Sequence, residues 1–427
     1  MFKLKPATKK DFGVFILLFF LASANFLLFG LNEYTIPSGD SEQYNLYAKN
    51  IALGNGYTAD SEGNGFSLYR EPGYSLFVSS IYSLFGVENF LAVKIAQVVL
   101  LALISFLIFK LFQIKGYKKL AVAVGSLVAF FPLYAYQANL IQSELWTAFL
   151  LACSLLLVIS ILKDDKNKKY YILLGVVFSI LGLTRAHLLL LPFVFGVVSY
   201  YKNKPLKYLV IPPAMVVVVA LSWATYVYLN TGFFAITKGR DNLHLYTRSE
   251  RSALSYDEQV KYYKSWFKRS ALGGREDEIL EKYEPGPLIK QYAELIQKGR
   301  TEEELKKESI AKIKSNLDRY ILGNPLEIIK MMFIEHLFPP VSSLLTRTLR
   351  AVIYFATYLI FSGGALLYMF SKKKRPSLLV NVGLIYIIYH WVVLSFFDVI
   401  PRFNTPYLWL YLVVGVAGLT TKFKIKS

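Results

Sequence analysis

One cysteine, Cys153, is all that 427 residues contain, and it lies inside an apolar run. An intramolecular disulfide and a cysteine metal cluster are therefore excluded. Charge is scarce: 18% of residues are Asp, Glu, Lys or Arg, against about 25% in soluble domains. Signatures of several chemistries are missing as well. There is no GxxxxGK[ST] and no GxGxxG after a strand, so no nucleotide or nucleotide-sugar pocket is evident. There is no HExxH, no convincing His/Cys cluster and no GxS nucleophile elbow. No repeat period and no low-complexity tract stand out, and the high apolar content argues against disorder.

What is present is apolar length. Hydrophobic residues make up 55% of the chain and mean hydropathy is +0.40. Ten apolar runs are legible, near 12–31, 90–109, 120–140, 145–162, 170–184, 186–201, 208–229, 351–370, 376–397 and 404–421. Most approach the roughly 20 residues that cross a bilayer. An ordinary soluble enzyme is excluded, and an all-α polytopic membrane helix bundle is expected. The first run is longer than a signal-peptide core and is followed by no clear small-residue cleavage site, so it reads as a retained anchor.

The net charge of +19 would suggest nucleic acid if it were spread over one surface. It is not. Alternate segments between the runs carry the cations, among them Lys115, Lys118 and Lys119, and Lys372, Lys373, Lys374 and Arg375. The only anions in those segments are Asp11, Asp164 and Asp165, and over the rest of the chain cations and anions balance. That is the positive-inside pattern, which predicts a plasma (inner) membrane protein with both termini cytoplasmic. No nucleic-acid partner is needed. The rule also splits 170–201 into a hairpin turning at Arg185, Ala186 and His187, since a single span would place Lys202, Lys204 and Lys207 outside. Each arm is about 23 Å long, short of the ~30 Å core. Arg185 and His187 are accordingly expected in a recess on the outer side.

Three regions follow. Residues 1–229 form an N-terminal transmembrane module with a first outer loop at 32–89, 230–350 form a helical extracytoplasmic segment, and 351–427 form a C-terminal transmembrane module. In the first loop, helical patterns over 41–53 and 72–85 are too short to span and suit the interface. In the second segment, Asn324-Pro325 is expected to start an apolar helix, interfacial or re-entrant, that stops at Pro339-Pro340.

The ionisable groups expected near the outer face come from distant parts of the chain, and the motifs around them resemble those of one family. Gly39-Asp40-Ser41-Glu42-Gln43-Tyr44, with Leu53-Gly54-Asn55-Gly56-Tyr57, is similar to an acidic first-loop motif. Arg70-Glu71-Pro72-Gly73-Tyr74, Ser143-Glu144, Gly182-Leu183-Thr184-Arg185 and Pro401-Arg402-Phe403-Asn404-Thr405-Pro406 follow in matching order. Together they resemble the polytopic glycosyltransferases of the C-type fold, the superfamily of protein O-mannosyltransferases and bacterial aminoarabinose transferases. The resemblance implies a polyprenyl-phosphate-sugar donor, a lipid, glycan or protein acceptor, and a site facing the extracytoplasmic side. It allows a divalent cation, although no ligand spacing in the chain demands one.

By that resemblance Asp40 or Glu42 is the catalytic carboxylate, the intervening Ser41 leaving the choice open. Arg70, Glu71, Tyr74, Glu144, Arg185, His187 and Arg402 are the substrate-binding candidates. Each has a plainer reading beside it. Asp40 can cap a helix, Glu42 can sit on a solvated face, Arg70 and Glu71 can form a local ion pair, Glu144 can cap the next span, and Arg185 and Arg402 can snorkel. The alternative function is a transporter or flippase for a lipid-linked saccharide. Transporters usually carry two-half repeats, and none is visible. The charge pattern predicts that single cysteines at positions 116 and 373 are labelled from the cytoplasm and those at 60 and 275 from outside. Labelling of 60 and 373 from the same side would overturn this topology.

Overall fold

A computed structural model describes residues 8–30, 39–163, 167–202, 204–237, 240–272, 277–332, 344–370, 377–396 and 401–423. The described residues are helical, with no strand among them. The first eleven helices are α1 (Lys9–Phe29), α2 (Asp40–Leu53), α3 (Pro72–Phe85), α4 (Phe90–Gln113), α5 (Lys118–Ala129), α6 (Pro132–Asn139), α7 (Glu144–Lys163), α8 (Lys168–Thr184), α9 (Leu191–Tyr201), α10 (Leu206–Leu209) and α11 (Ile211–Thr231). Then come α12 (Arg240–Ser252), α13 (Tyr256–Leu272), α14 (Glu278–Tyr283), α15 (Pro285–Gln297), α16 (Glu302–Ser315) and α17 (Leu317–Met331). The last three are α18 (Leu344–Met369), α19 (Leu378–Ser395) and α20 (Leu408–Phe423).

Seven helices are long and apolar enough to cross a membrane: α1, α4, α7, α11, α18, α19 and α20 within its span Arg402–Thr421. The pair α5 and α6 passes the same test only jointly, bent by 45° at its break. The expected hairpin arms appear as α8, and as the 3-10 turn Ala186–Leu190 running into α9. Both arms are shorter than a full span. The ten apolar runs are thus seven full spans, one broken span and two short arms, and the chain is a multi-pass helical membrane protein.

The chain divides into two compact units, one of residues 1–236, 340–387 and 405–427, the other of 237–339 and 388–404. In the first unit, apolar packing is punctuated by polar ties at helix ends. Thr8 and Asp11 form a capping box on α1. Asp11 also accepts from Gln113 at 2.9 Å and pairs with Lys110 at 3.2 Å, tying α1 to the end of α4. At the α5–α6 break, Asn25 Nδ2 donates to the carbonyls of Ala129 (3.1 Å) and Phe131 (2.9 Å). A bare carbonyl has no partner in hydrocarbon, so this one side chain makes the break tolerable.

The second unit holds a buried ionic cluster. Glu327 faces Arg248 at 3.5 Å and Arg251 at 3.4 Å, with Lys330 at 3.9 Å, and all four are at most 2% exposed. Tyr263 donates to Glu327 at 2.8 Å. The helix expected to begin at Asn324-Pro325 begins earlier, with Pro325 inside α17. Pro325 removes one ladder donor. Arg248 bonds alongside, reaching the Tyr320 carbonyl at 3.1 Å and Asn324 Oδ1 at 2.8 Å. The expected stop at Pro339-Pro340 lies outside the described residues.

Helices α18 and α20 touch through glycine. A Cβ on Gly364 would stand 2.0 Å from the Gly415 carbonyl oxygen, whereas one on Gly363 would meet nothing within 4 Å. Gly364→Ala is therefore expected to cost about 1–3 kcal/mol by overpacking. Gly363→Ala should be neutral or should gain up to about 1 kcal/mol from helix propensity. Thermal unfolding of both variants in detergent checks this, and equal melting temperatures would contradict the close crossing.

Candidate active site

The candidate residues of the first unit gather where α2, α3, α7 and the end of α8 meet. Helix α2 opens at Asp40 after Gly39, which occupies the cap position at φ 55, and closes on Gly54 in the left-handed region at φ 81. Asp40 is thus the first helical residue and not the cap. The loop after Gly54 is tied back by Asn50 Nδ2, which donates to the carbonyls of Thr58 (3.0 Å) and Asp60 (2.9 Å). Two tyrosines set the next stretch. Tyr47 and Tyr57 stack with centroids 4.3 Å apart. Tyr57 donates its hydroxyl to the Arg70 carbonyl at 2.7 Å, and the Tyr69 amide donates to Tyr47 at 3.2 Å.

Arg70 is thereby aimed across at α2. Its Nε donates to Gln43 Oε1 at 2.7 Å and its Nη2 pairs with Asp40. Burial works against the charge on Arg70, but Tyr44 and Asp40 beside it hold the guanidinium above its usual basicity. The two partners differ in exposure: the Arg70 side chain is 3% exposed and that of Asp40 26%. A buried cation therefore orients a carboxylate that solvent can reach. The local Arg70–Glu71 ion pair is replaced by this longer-range one. Glu42 lies solvent-exposed on the first turn of α2.

The rest of the Arg70–Tyr74 motif has a packing reason at each position. Glu71 stands at the N-cap position of α3 with no side-chain capping bond, Pro72 fills the first turn, and Glu71 Oε1 accepts from the Ala186 amide at 3.3 Å. Gly73 lets α3 abut the end of α8, because a Cβ there would lie 2.4 Å from Thr184 Oγ1. Tyr74 departs from the substrate-binding expectation: it is fully buried in an apolar cluster and donates to Gln97 Oε1 at 3.1 Å. Its ring is core, with no face toward solvent.

On the other side of Gly73, Arg185 pairs with Glu144 Oε1 at 3.2 Å and donates to Ser143 Oγ at 3.2 Å. Glu144 is 2% exposed and Arg185 13%, so neither is a loose helix-end charge. His187 follows in the 3-10 turn, partly exposed. Arg402 lies in the 3-10 turn Pro401–Tyr407, partly buried, and belongs to the second unit, where the adjacent Phe403 packs on Met331 and Leu394.

Among the described residues no three His, Cys, Asp or Glu side chains stand together as metal ligands. An open groove of about 550 Å³ on α11, lined by Val218, Leu221, Ser222, Thr225, Tyr226 and Leu229, contains none of the candidate residues.

Sequence reading missed the residues that hold this geometry. Gln43 shares Arg70, and Tyr47 and Tyr57 fix its backbone. Glu88, at φ 59, accepts from Asn45 (2.9 Å) and Lys49 (3.2 Å) and so anchors α2 to the turn before α4. Gln97 is the most consequential. From within α4 it accepts from Tyr74 and donates to the carbonyls of Ala138 (3.1 Å) and Leu140 (2.7 Å), in the stretch that leads to Ser143 and Glu144. A signal was available, since a lone amide in an apolar span needs a partner.

The sequence pattern of the dolichyl-phosphate-mannose-protein mannosyltransferase family matches residues 70–223, which include Arg70, Glu144 and Arg185. No protein of curated function matches the chain. The fold is similar to that of the archaeal oligosaccharyltransferase AglB from Archaeoglobus fulgidus in complex with an inhibitory peptide and a dolichol-phosphate. The TM-score is 0.56 at 14% identity, over 96% of this chain and 50% of that one. The Archaeoglobus fulgidus oligosaccharyltransferase in the apo form gives a TM-score of 0.54 at 13% identity, with the same coverage. The chain spans about half the length of these enzymes. The family match covers part of the chain, and the likeness to these structures is one of fold, that of a polytopic helical membrane protein.

Replacing Gln97 by Leu would strand the Tyr74 hydroxyl and the carbonyls of Ala138 and Leu140. A loss of about 1–3 kcal/mol is expected for each group left buried and unbonded. A melting temperature in detergent equal to that of the unaltered protein would show that Gln97 does not tie these segments.

Proposed function

We propose that the chain is an integral membrane glycosyltransferase that moves a sugar from a polyprenyl-phosphate-linked donor to an extracytoplasmic acceptor. The observation that carries this reading is the pair formed by solvent-reachable Asp40 and buried Arg70, with a second pair, Glu144–Arg185, at the end of α8 where Gly73 of α3 abuts Thr184. The family match over 70–223 and the shared fold support it. The related archaeal enzyme was solved with dolichol-phosphate and a peptide, which supports a lipid-linked donor here. The acceptor is a hydroxyl group of a lipid, glycan or protein. The membrane is the plasma (inner) membrane, with both termini cytoplasmic, as the lysine distribution suggests.

A polyprenyl phosphate leaves readily, but an acceptor hydroxyl is a weak nucleophile near neutral pH. A carboxylate within hydrogen-bond reach accepts its proton, a contribution of typically 10²–10⁴-fold. Asp40 takes that role, its orientation set by Arg70 and Gln43. The acceptor oxygen forms a bond to the anomeric carbon as the carbon–oxygen bond to phosphate breaks, which inverts the centre. Arg185, steadied by Glu144, offsets the charge growing on the departing phosphate. Glu71, which accepts from the Ala186 amide, and His187, two residues after Arg185, contact the sugar. Arg402 is assigned to the donor phosphate on its motif alone.

Two measurements test this. Purified protein in liposomes should transfer sugar from a polyprenyl-phosphate donor without ATP, and transfer from a nucleotide sugar with no lipid carrier would refute the donor class. Asp40→Asn should lower turnover 10²–10⁴-fold with unfolding temperature and donor binding largely kept, whereas Arg402→Ala should weaken donor binding as well as rate. Near-normal turnover in folded Asp40→Asn would remove Asp40 from the role and bring Glu42 or Glu71 forward.

A further inference from the structure

Helix α17 is turned inside out. From Tyr320 onward its ionisable residues, Glu327 and Lys330, face the interior of the second unit, where they meet Arg248 and Arg251. Its outward side carries Ile321 (53% exposed), Leu322 (58%), Pro325 and Ile329 (44%). A helix on an aqueous surface has the opposite arrangement, apolar stripe inward and charges outward. Burying charge while exposing aliphatic side chains is favourable only where the surroundings are less polar than the interior of the unit. The N-terminal end is different, for exposed Asp318 bonds Tyr256, and Lys314 on the preceding helix is exposed.

The same unit contains the end of a membrane-spanning helix. Residues 388–396 of the α19 segment show an exposed apolar stripe, Ile388, Val392 and Phe396, one turn apart. Helix α17 is fastened to that end. Tyr320 donates its hydroxyl to the Phe396 carbonyl at 2.6 Å, the two rings are 6.3 Å apart, and Met331 packs on Leu394 and Trp391. The outward face of α17 therefore continues the lipid-facing stripe of α19.

We infer that α17 lies in the bilayer interface, with Ile321, Leu322, Pro325 and Ile329 in contact with lipid and its Asp318 end in water. The occupant of this face is the membrane, not a second protein. The ionic cluster of Glu327 is then the polar half of a helix whose other half is solvated by lipid. Lipid contact holds the second unit at the membrane surface by a face independent of the chemistry assigned to Asp40.

The test uses the full chain in nanodiscs of phosphatidylethanolamine and phosphatidylglycerol. With spin labels at Leu322→Cys and Ile329→Cys, collision with oxygen relative to a water-soluble nickel chelate should exceed that at Lys314→Cys at least about fivefold. Ratios equal to the Lys314 value would overturn the inference in favour of a water-facing helix. Low collision with both reagents would overturn it in favour of a protein partner. The unaltered protein provides a second reading that needs no variant. Hydroxyl-radical footprinting in the same nanodiscs should leave Ile321, Leu322, Pro325 and Ile329 unmodified while oxidising exposed Tyr256, and comparable oxidation of both groups would refute lipid contact.

Discussion

Backbone groups that leave a helix inside an apolar medium must be satisfied by the protein itself. The first unit depends on meeting that constraint at two places. Asn25 takes the carbonyls on either side of the α5–α6 break, and Gln97 takes those of Ala138 and Leu140 after α6. Without the second tie, the stretch entering α7 would have no fixed course, and Ser143 and Glu144 would not be presented to Arg185. Gln97 also holds Tyr74, four residues after Arg70 in the same motif. One amide therefore sets the relation between the two stretches that carry the paired charges.

The paired charges differ in what they leave open. At Asp40 the anion is reachable and its cation is buried, while at Arg185 both partners are largely enclosed. The first arrangement suits a group that must accept a proton, and the second suits a cation held in a fixed place against developing negative charge. Gly73 brings the α3 backbone against Thr184, next to Arg185, with no side chain between.

Much of the fold was legible in the sequence because bilayer crossing imposes length and composition on each helix. The apolar runs found α1, α4, α7, α11, α18, α19 and α20, and the lysine pattern predicted the turn at Arg185. Helices over 40–53 and 72–85 were visible from their glycine and proline punctuation. Less of the site was legible. Motif order named Asp40, Arg70, Glu144 and Arg185, but not that Arg70 pairs with Asp40, because that contact joins positions 30 apart through a loop set by Tyr47 and Tyr57. Tyr74 read as a ligand and lies buried in an apolar cluster, a position that a tyrosine in a motif does not disclose. Pro325 read as a helix start and is interior, and the side chain of Arg248 bonds Asn324, 76 residues further along the chain, in the turn before it.

The contact between Glu71 and Ala186 joins residues 115 apart in the chain. During synthesis the first loop emerges long before its partner turn exists. At about 5–20 residues per second, some 6–23 s separate the two. Over that interval Gly73 lacks the Thr184 backbone that it abuts and Glu71 lacks its Ala186 partner. The contact of Glu71 with the turn after α8, and the Glu144–Arg185 pair beside it, thus form only once α8 is in place. A chain arrested before α8 would carry every acidic candidate and the Asp40–Arg70 pair, but neither Arg185 nor the turn that Glu71 bonds.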